Sequence, residues 1–202
     1  MPIRALAPEI PVSVLLRRGA RCREEIEPQV LRWLNAGQIP TVNRIERQAV
    51  DQGQLLDQVL DELGLNAEKA RFAAALDDSR NPWRRNRSIS RVWLGLMVEY
   101  ADHLPVWEYL SSHPADGVRV WAALSLGQKP DLVLAERLTA MNRFAADPHP
   151  GVREAAALAL LPHLRAEESQ AVFPGTAAYA TLKLLHHLLG GTEYGTESTD
   201  AG

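Results

Sequence analysis

Leu110 to Gly127, LSSHPADGVRVWAALSLG, and Phe144 to Leu161, FAADPHPGVREAAALALL, are one pattern written twice, 34 positions apart. Pro114, Gly117, Val118, Arg119, Ala122, Ala123, Leu124 and Leu126 in the first copy match Pro148, Gly151, Val152, Arg153, Ala156, Ala157, Leu158 and Leu160 in the second. A repeat of this length holds one turn and a helix pair, a unit that cannot bury its apolar face alone and is stabilised by stacking on a neighbour. The paired alanines allow close helix approach, and Val118 and Val152 enter the core just after the turn.

Working outward from the repeat, the rest of the chain also reads at helical period. Toward the N-terminus, Leu55, Leu56, Val59, Leu60 and Leu63 form an apolar stripe stopped by Gly64. Helices are expected over about 11–19, 27–36 (ending at Gly37) and 41–52, with Thr41 as N-cap and Gly53 as terminator. Asn66 is expected to cap a helix burying Ala70, Phe72, Ala73 and Leu76. Asn81-Pro82 reads as N-cap and first-turn proline of a long helix to about residue 103. On that helix Ile89, Trp93, Leu96, Met97 and Tyr100 share one side, and Arg84, Arg87 and Arg91 the other. The first repeat unit begins after Pro105. Asp131 is the expected cap of the helix to Ala145, and a helix over 177–189 closes the array. Residues 190–202, GGTEYGTESTDAG, have the composition of a disordered tail. The fold class expected is all-α, a single helical domain over 1–189.

The turn DPHPGVREAAA from Asp147 resembles the HEAT-repeat family, whose units carry a D-x-x-x-x-V-R-x-x-A-A signature. The likeness covers about 105–165, with a degenerate unit over about 66–101 and N-terminal helices over 11–64. It implies a short right-handed α-solenoid and a ladder of aspartate and arginine between units, here Asp147, Arg119 and Arg153. His113 stands where the first unit would carry its aspartate, so one rung is weakened.

Composition narrows the function. A single cysteine, Cys22, leaves no intramolecular disulfide or multi-cysteine zinc site and fits a reducing, cytoplasmic setting. No run of residues has the length and apolarity of a membrane span, so no membrane role is expected. The net charge is −3, yet residues 1–101 carry 15 Lys and Arg against 13 Asp and Glu, and residues 102–202 carry 7 against 12. Basic character is local rather than global.

Its densest point is Arg80, Arg84, Arg85, Arg87 and Arg91, with Trp83 within the run and Trp121 in the first repeat where the second has Ala155. Guanidinium forks suit carboxylate or phosphate oxygens, and aromatic rings beside them can stack on planar groups. A solvated face is the plainer account of the same residues. A second run, Arg17, Arg18, Arg21 and Arg23, is followed by Glu24, Glu25 and Glu27 and reads as a surface ion-pair network.

No phosphate loop, nucleophile elbow or paired-histidine metal motif is present; no cofactor or metal is expected. These features point to a non-catalytic scaffold that binds a protein through a grooved surface and the arginine face. The alternative is a nucleic-acid binder. The mid-chain arginines and scattered tryptophans are similar in arrangement to HEAT-like alkylpurine DNA glycosylases, and Asp102 near Trp107 is the nearest approach to their catalytic aspartate. A third reading is a module for a small acidic metabolite.

Overall fold

Residues 10–77, 81–102 and 105–169 are described by the computed structural model. Among them every regular element is a helix. The N-terminal part holds α1 (Val12–Leu15), α2 (Pro28–Asn35), α3 (Arg44–Ala49) and α4 (Gln52–Leu63). There follow α5 (Lys69–Asp77), α6 (Pro82–Glu99), α7 (Val106–Ser111), α8 (Asp116–Gln128), α9 (Leu134–Ala145) and α10 (Pro150–Ser169). Single 3₁₀ turns occupy Arg23–Glu25 and Asn66–Glu68.

From α5 onward the helices pair in order: α5 packs on α6, α7 on α8, and α9 on α10. The second members of the pairs then lie against one another, α6 on α8 and α8 on α10. Helix α8 is therefore covered by neighbours on most sides, and Val118 to Leu126 is buried apart from Arg119, whose side chain keeps a small exposed part. Val118 and Val152 are both fully buried. The two helices approach closely at Gly127, where an added Cβ would meet the Cβ of Ala159 at 2.5 Å, so α8 and α10 tolerate no side chain there.

Apolar packing divides into two clusters. The large one runs from Leu55 to Leu160 and contains Phe72, Ile89, Trp93, Leu96, Trp121 and Phe144. The small one, Ile26, Val30, Leu34, Ile39 and Ala49, belongs to α2, α3 and their approaches. Val50 packs against both.

Helix ends follow local chemistry with departures from the expected boundaries, one being that Asn66 opens a 3₁₀ turn without capping it and α5 begins at Lys69. Gly37 and Gly64 adopt positive φ, 65° and 70°, and terminate α2 and α4 as glycine readily does. Asn81 accepts from the N–H groups of Trp83 and Arg84 and so starts α6. Thr41, however, does not cap α3. Asn43 does, accepting from the Glu46 N–H at 3.0 Å, because Thr41 is engaged elsewhere. Gly53 lies in the first turn of α4, whose cap is Asp51. Helix α9 begins at Leu134, not at Asp131, since Leu132 and Lys129 turn their carbonyls to Arg137. On α5, Phe72 and Ala75 are buried while Ala70 and Ala73 are exposed. The expected helix over 177–189 and the tail over 190–202 lie outside the described residues.

Candidate functional site

Helix α6 divides its faces as its periodicity requires. Ile89, Trp93 and Leu96 are fully buried, and Arg84, Arg87 and Arg91 are exposed. Arg80 lies outside the described residues. The remaining arginines do not act as one patch. Arg87 and Arg91 border a hollow of about 390 Å³ floored by Leu94, Leu124 and Leu158. Arg85 faces a different hollow of about 380 Å³, between α3 and the N-terminal ends of α6, α8 and α10. Trp83 is half-buried and lines both.

The 380 Å³ hollow gathers side chains that are far apart in sequence. Arg44 and Arg47 come from α3, Gln52 from the start of α4, Arg85 and Asn86 from α6, and Trp121 from α8. Its volume falls within the ~300–1,000 Å³ range of ligand pockets. Trp121 is 1 % exposed, so it is a wall and not a projecting contact. Its indole N–H donates to Asn86 Oδ1 at 2.9 Å, and Gln52 Nε2 donates to the same oxygen at 3.1 Å. Arg47 reaches Glu154 of α10 at 3.9 Å, with both side chains well exposed. Arg44 makes no ion pair with a described residue.

The floor of this hollow is a buried polar tie. Asp116, 1 % exposed, accepts from the Thr41 N–H at 2.7 Å and from the Thr41 hydroxyl at 3.0 Å. His149 Nε2 lies 3.2 Å from that hydroxyl and 3.5 Å from Asp116 Oδ2. His149 Nδ1 accepts from the Gly151 N–H at 3.1 Å, which fixes the imidazole proton on Nε2. Burial depresses the His149 pKa below the usual histidine value, reinforced by Arg47 and Arg119 and opposed by Asp116 and Asp147. Histidine, threonine and aspartate meet here, yet the aspartate does not orient Nδ1, so the set holds the chain together and is not arranged as a nucleophile relay.

The two turns of the repeated pattern are braced by side chains, Arg119 across to the other turn and Arg153 within its own. Arg119 forks onto Asp147, Nε to Oδ2 at 2.7 Å and the terminal nitrogen to Oδ1 at 3.0 Å. It also donates to the carbonyls of His113 and Pro114, both at 2.7 Å. Arg153 donates to the carbonyls of Asp147 and Pro148, at 2.8 and 3.0 Å. His113 partly replaces the aspartate it displaces: its Nδ1 accepts from the Ala115 N–H at 3.1 Å, as Asp147 Oδ1 accepts from the His149 N–H at 2.8 Å.

Sequence reading missed Arg137, Arg44 and Arg47. Arg137 is 2 % exposed and donates to four carbonyls, those of Leu126, Gly127, Lys129 and Leu132, at 2.7 to 3.0 Å. It closes the C-terminal end of α8, where a cation also meets the negative end of the helix dipole, while burial lowers its pKa. The signal was present, because Arg137, Met141 and Phe144 occupy the i, i+4, i+7 positions of a buried stripe. No local signal marks Arg44 and Arg47, whose value depends on what α3 packs beside.

Asp102 is exposed beyond the end of α6, and Trp107 sits edge-on to Phe144 with centroids 5.7 Å apart. Among the described residues no group of three or more His, Cys, Asp or Glu is placed to hold a metal ion, and no helix is long and apolar enough to cross a membrane. Comparison with protein-family models, with curated proteins and with solved structures finds no match.

Proposed function

We propose that the chain is a non-catalytic binding module, a short HEAT-like solenoid that holds a protein partner along the side formed by α6, α8 and α10. The observation that carries this reading is the pair of hollows on those three helices, joined at Trp83 and bordered by arginines of α6. Stacked second helices of repeat units offer an extended surface of this kind, which fits a segment of polypeptide better than a single small molecule. Half-buried tryptophan beside arginine is also the composition found where interfaces concentrate their affinity.

The test is site-specific photo-crosslinking from position 94, in the floor of the second hollow. A partner that crosslinks at low salt should be lost on raising salt and in the Arg85→Ala/Arg87→Ala/Arg91→Ala protein. A crosslinking pattern indifferent to the three arginines overturns the reading.

The nucleic-acid alternative rests on Arg84, Arg87 and Arg91, exposed together on α6 and without a carboxylate partner among the described residues. If it holds, duplex DNA binds with a log–log salt slope that falls by about three when all three become alanine. Anisotropy of a labelled duplex that stays flat at low salt removes it.

A further inference from the structure

Within that binding reading, on which this inference rests, the hollow between α3 and α6 has its own chemistry. Three guanidinium groups, Arg44, Arg47 and Arg85, share about 380 Å³ with the half-buried ring of Trp83. Two carboxylates also line it, but Asp116 is occupied by Thr41 and His149, and Glu154 stands near Arg47. The balance of the walls is therefore cationic, with one cation, Arg44, lacking any ion pair among the described residues.

A second, independent observation concerns Gln52. The Trp121 indole N–H can only donate, so Asn86 must turn its oxygen toward it. That oxygen in turn requires the amide nitrogen of Gln52. Gln52 Oε1 is thereby left buried with no hydrogen-bond partner among the described residues, at the wall of the hollow. An unsatisfied buried acceptor costs about 1–3 kcal/mol, and a slight turn of the amide toward an occupant offering an N–H would relieve it.

We propose that this hollow is a carboxylate-binding site for an acidic segment of a partner polypeptide, with side-chain carboxylates on Arg44 and Arg85 and a backbone N–H on Gln52 Oε1. An acidic peptide carries both groups within one residue. A DNA backbone offers phosphate oxygens for the arginines but no donor for Gln52, and Asp116 and Glu154 in the walls disfavour its charge density. Arg47 exchanges its long, exposed contact with Glu154 for the ligand. Trp83 packs on the aliphatic part of the segment.

The test uses isothermal titration of the full chain with three acetylated, amidated hexapeptides: alternating aspartate and glycine, its asparagine counterpart, and an aspartate depsipeptide in which backbone N–H groups are replaced by ester oxygens. The aspartate peptide binds, and the asparagine peptide binds at least about tenfold more weakly. Arg44→Ala/Arg85→Ala weakens the aspartate peptide by at least about tenfold, and Arg32→Ala/Arg143→Ala, a pair of exposed arginines outside both hollows, leaves it within about twofold. The depsipeptide binds the unmodified protein about fivefold to tenfold more weakly, and Gln52→Met, checked for folding by its melting curve, removes that difference. Equal affinity for amide and ester in the unmodified protein overturns the Gln52 contact without needing a variant. Tighter binding of a thymidine oligonucleotide than of the aspartate peptide overturns the assignment to polypeptide. If no peptide binds at low salt the carboxylate site is refuted, while a salt-sensitive crosslink from position 94 leaves the wider binding reading standing.

Discussion

The two ends of the described chain are held together by different physics. From α5 to α10 the second helices share a continuous apolar cluster. Between α1 and α3 the apolar cluster is small, and polar ties supplement it. Arg17 forks onto Glu46, 2 % exposed, at 3.0 and 2.6 Å, and Glu46 also accepts from the Val42 N–H at 2.9 Å. The Thr41–Asp116–His149 tie then fastens this end to α8 and to the turn before α10. Apolar stacking is non-directional and tolerates drift in sequence, whereas the polar ties act only at one geometry. The candidate carboxylate hollow lies along this boundary, so its shape depends on the more specific and more easily broken of the two.

The comparison breaks first in the stacked half. Trp93→Ala removes a fully buried ring that meets Phe72 at 4.9 Å between centroids. It should cost about 3–5 kcal/mol in urea denaturation followed by circular dichroism, unfolding α5 to α10 together. In the N-terminal half, Arg17→Ala leaves Glu46 buried without its cation and should cost about 3 kcal/mol. Hydrogen exchange should place that loss in residues 10–50 and spare α8. Loss of protection in both halves at once would mean that they unfold as one unit and that the distinction has no energetic content.

A smaller change sharpens the contrast within the repeats. Asp147→Asn keeps an acceptor for the His149 N–H but gives up the charged fork to Arg119, and should lower stability by about 1.5–3 kcal/mol in thermal melts. An equal loss in His113→Ala would show that the first repeat's turn is braced as strongly as the second.

The mildest prediction concerns pH. His149 is neutral in the fold, with a pKa depressed chiefly by burial. Its contribution is fully present above the unfolded value of about 6.5 and declines as pH falls below it, because the unfolded chain then binds the proton first. Melting temperature should fall more between pH 7 and 5 in the native protein than in His149→Gln. Parallel curves for the two proteins would exclude His149 as the source.

Much of the stacked half was legible because its forces act over short stretches of chain. Helical periodicity picked out the buried faces of α4 and α6, and the 34-residue pattern marked Val118 and Val152 as core positions, as both are. The arginine face of α6 was legible as a face but not as a site, since neighbouring helices turn Arg85 into one hollow and Arg87 and Arg91 into another. The departures from the repeat prove as informative as its matches. Asp116, where the other copy has Pro150, ties down Thr41. Trp121, where the other copy has Ala155, closes the wall through Asn86. Gly127, where the other copy has Leu161, admits Ala159.

The sequence alone determined that the described residues are helical, that α2 and α4 stop at Gly37 and Gly64, that α6 starts at Asn81, and which residues repeat, because capping, periodicity and turn chemistry are read within a few residues of one another. Only the tertiary structure decided that Thr41 bonds Asp116 across 75 positions and that Arg44 and Arg47 join Arg85 around one hollow. Those partnerships depend on how α3 docks against α6 and α8, and no local preference of the backbone encodes a contact between segments so far apart.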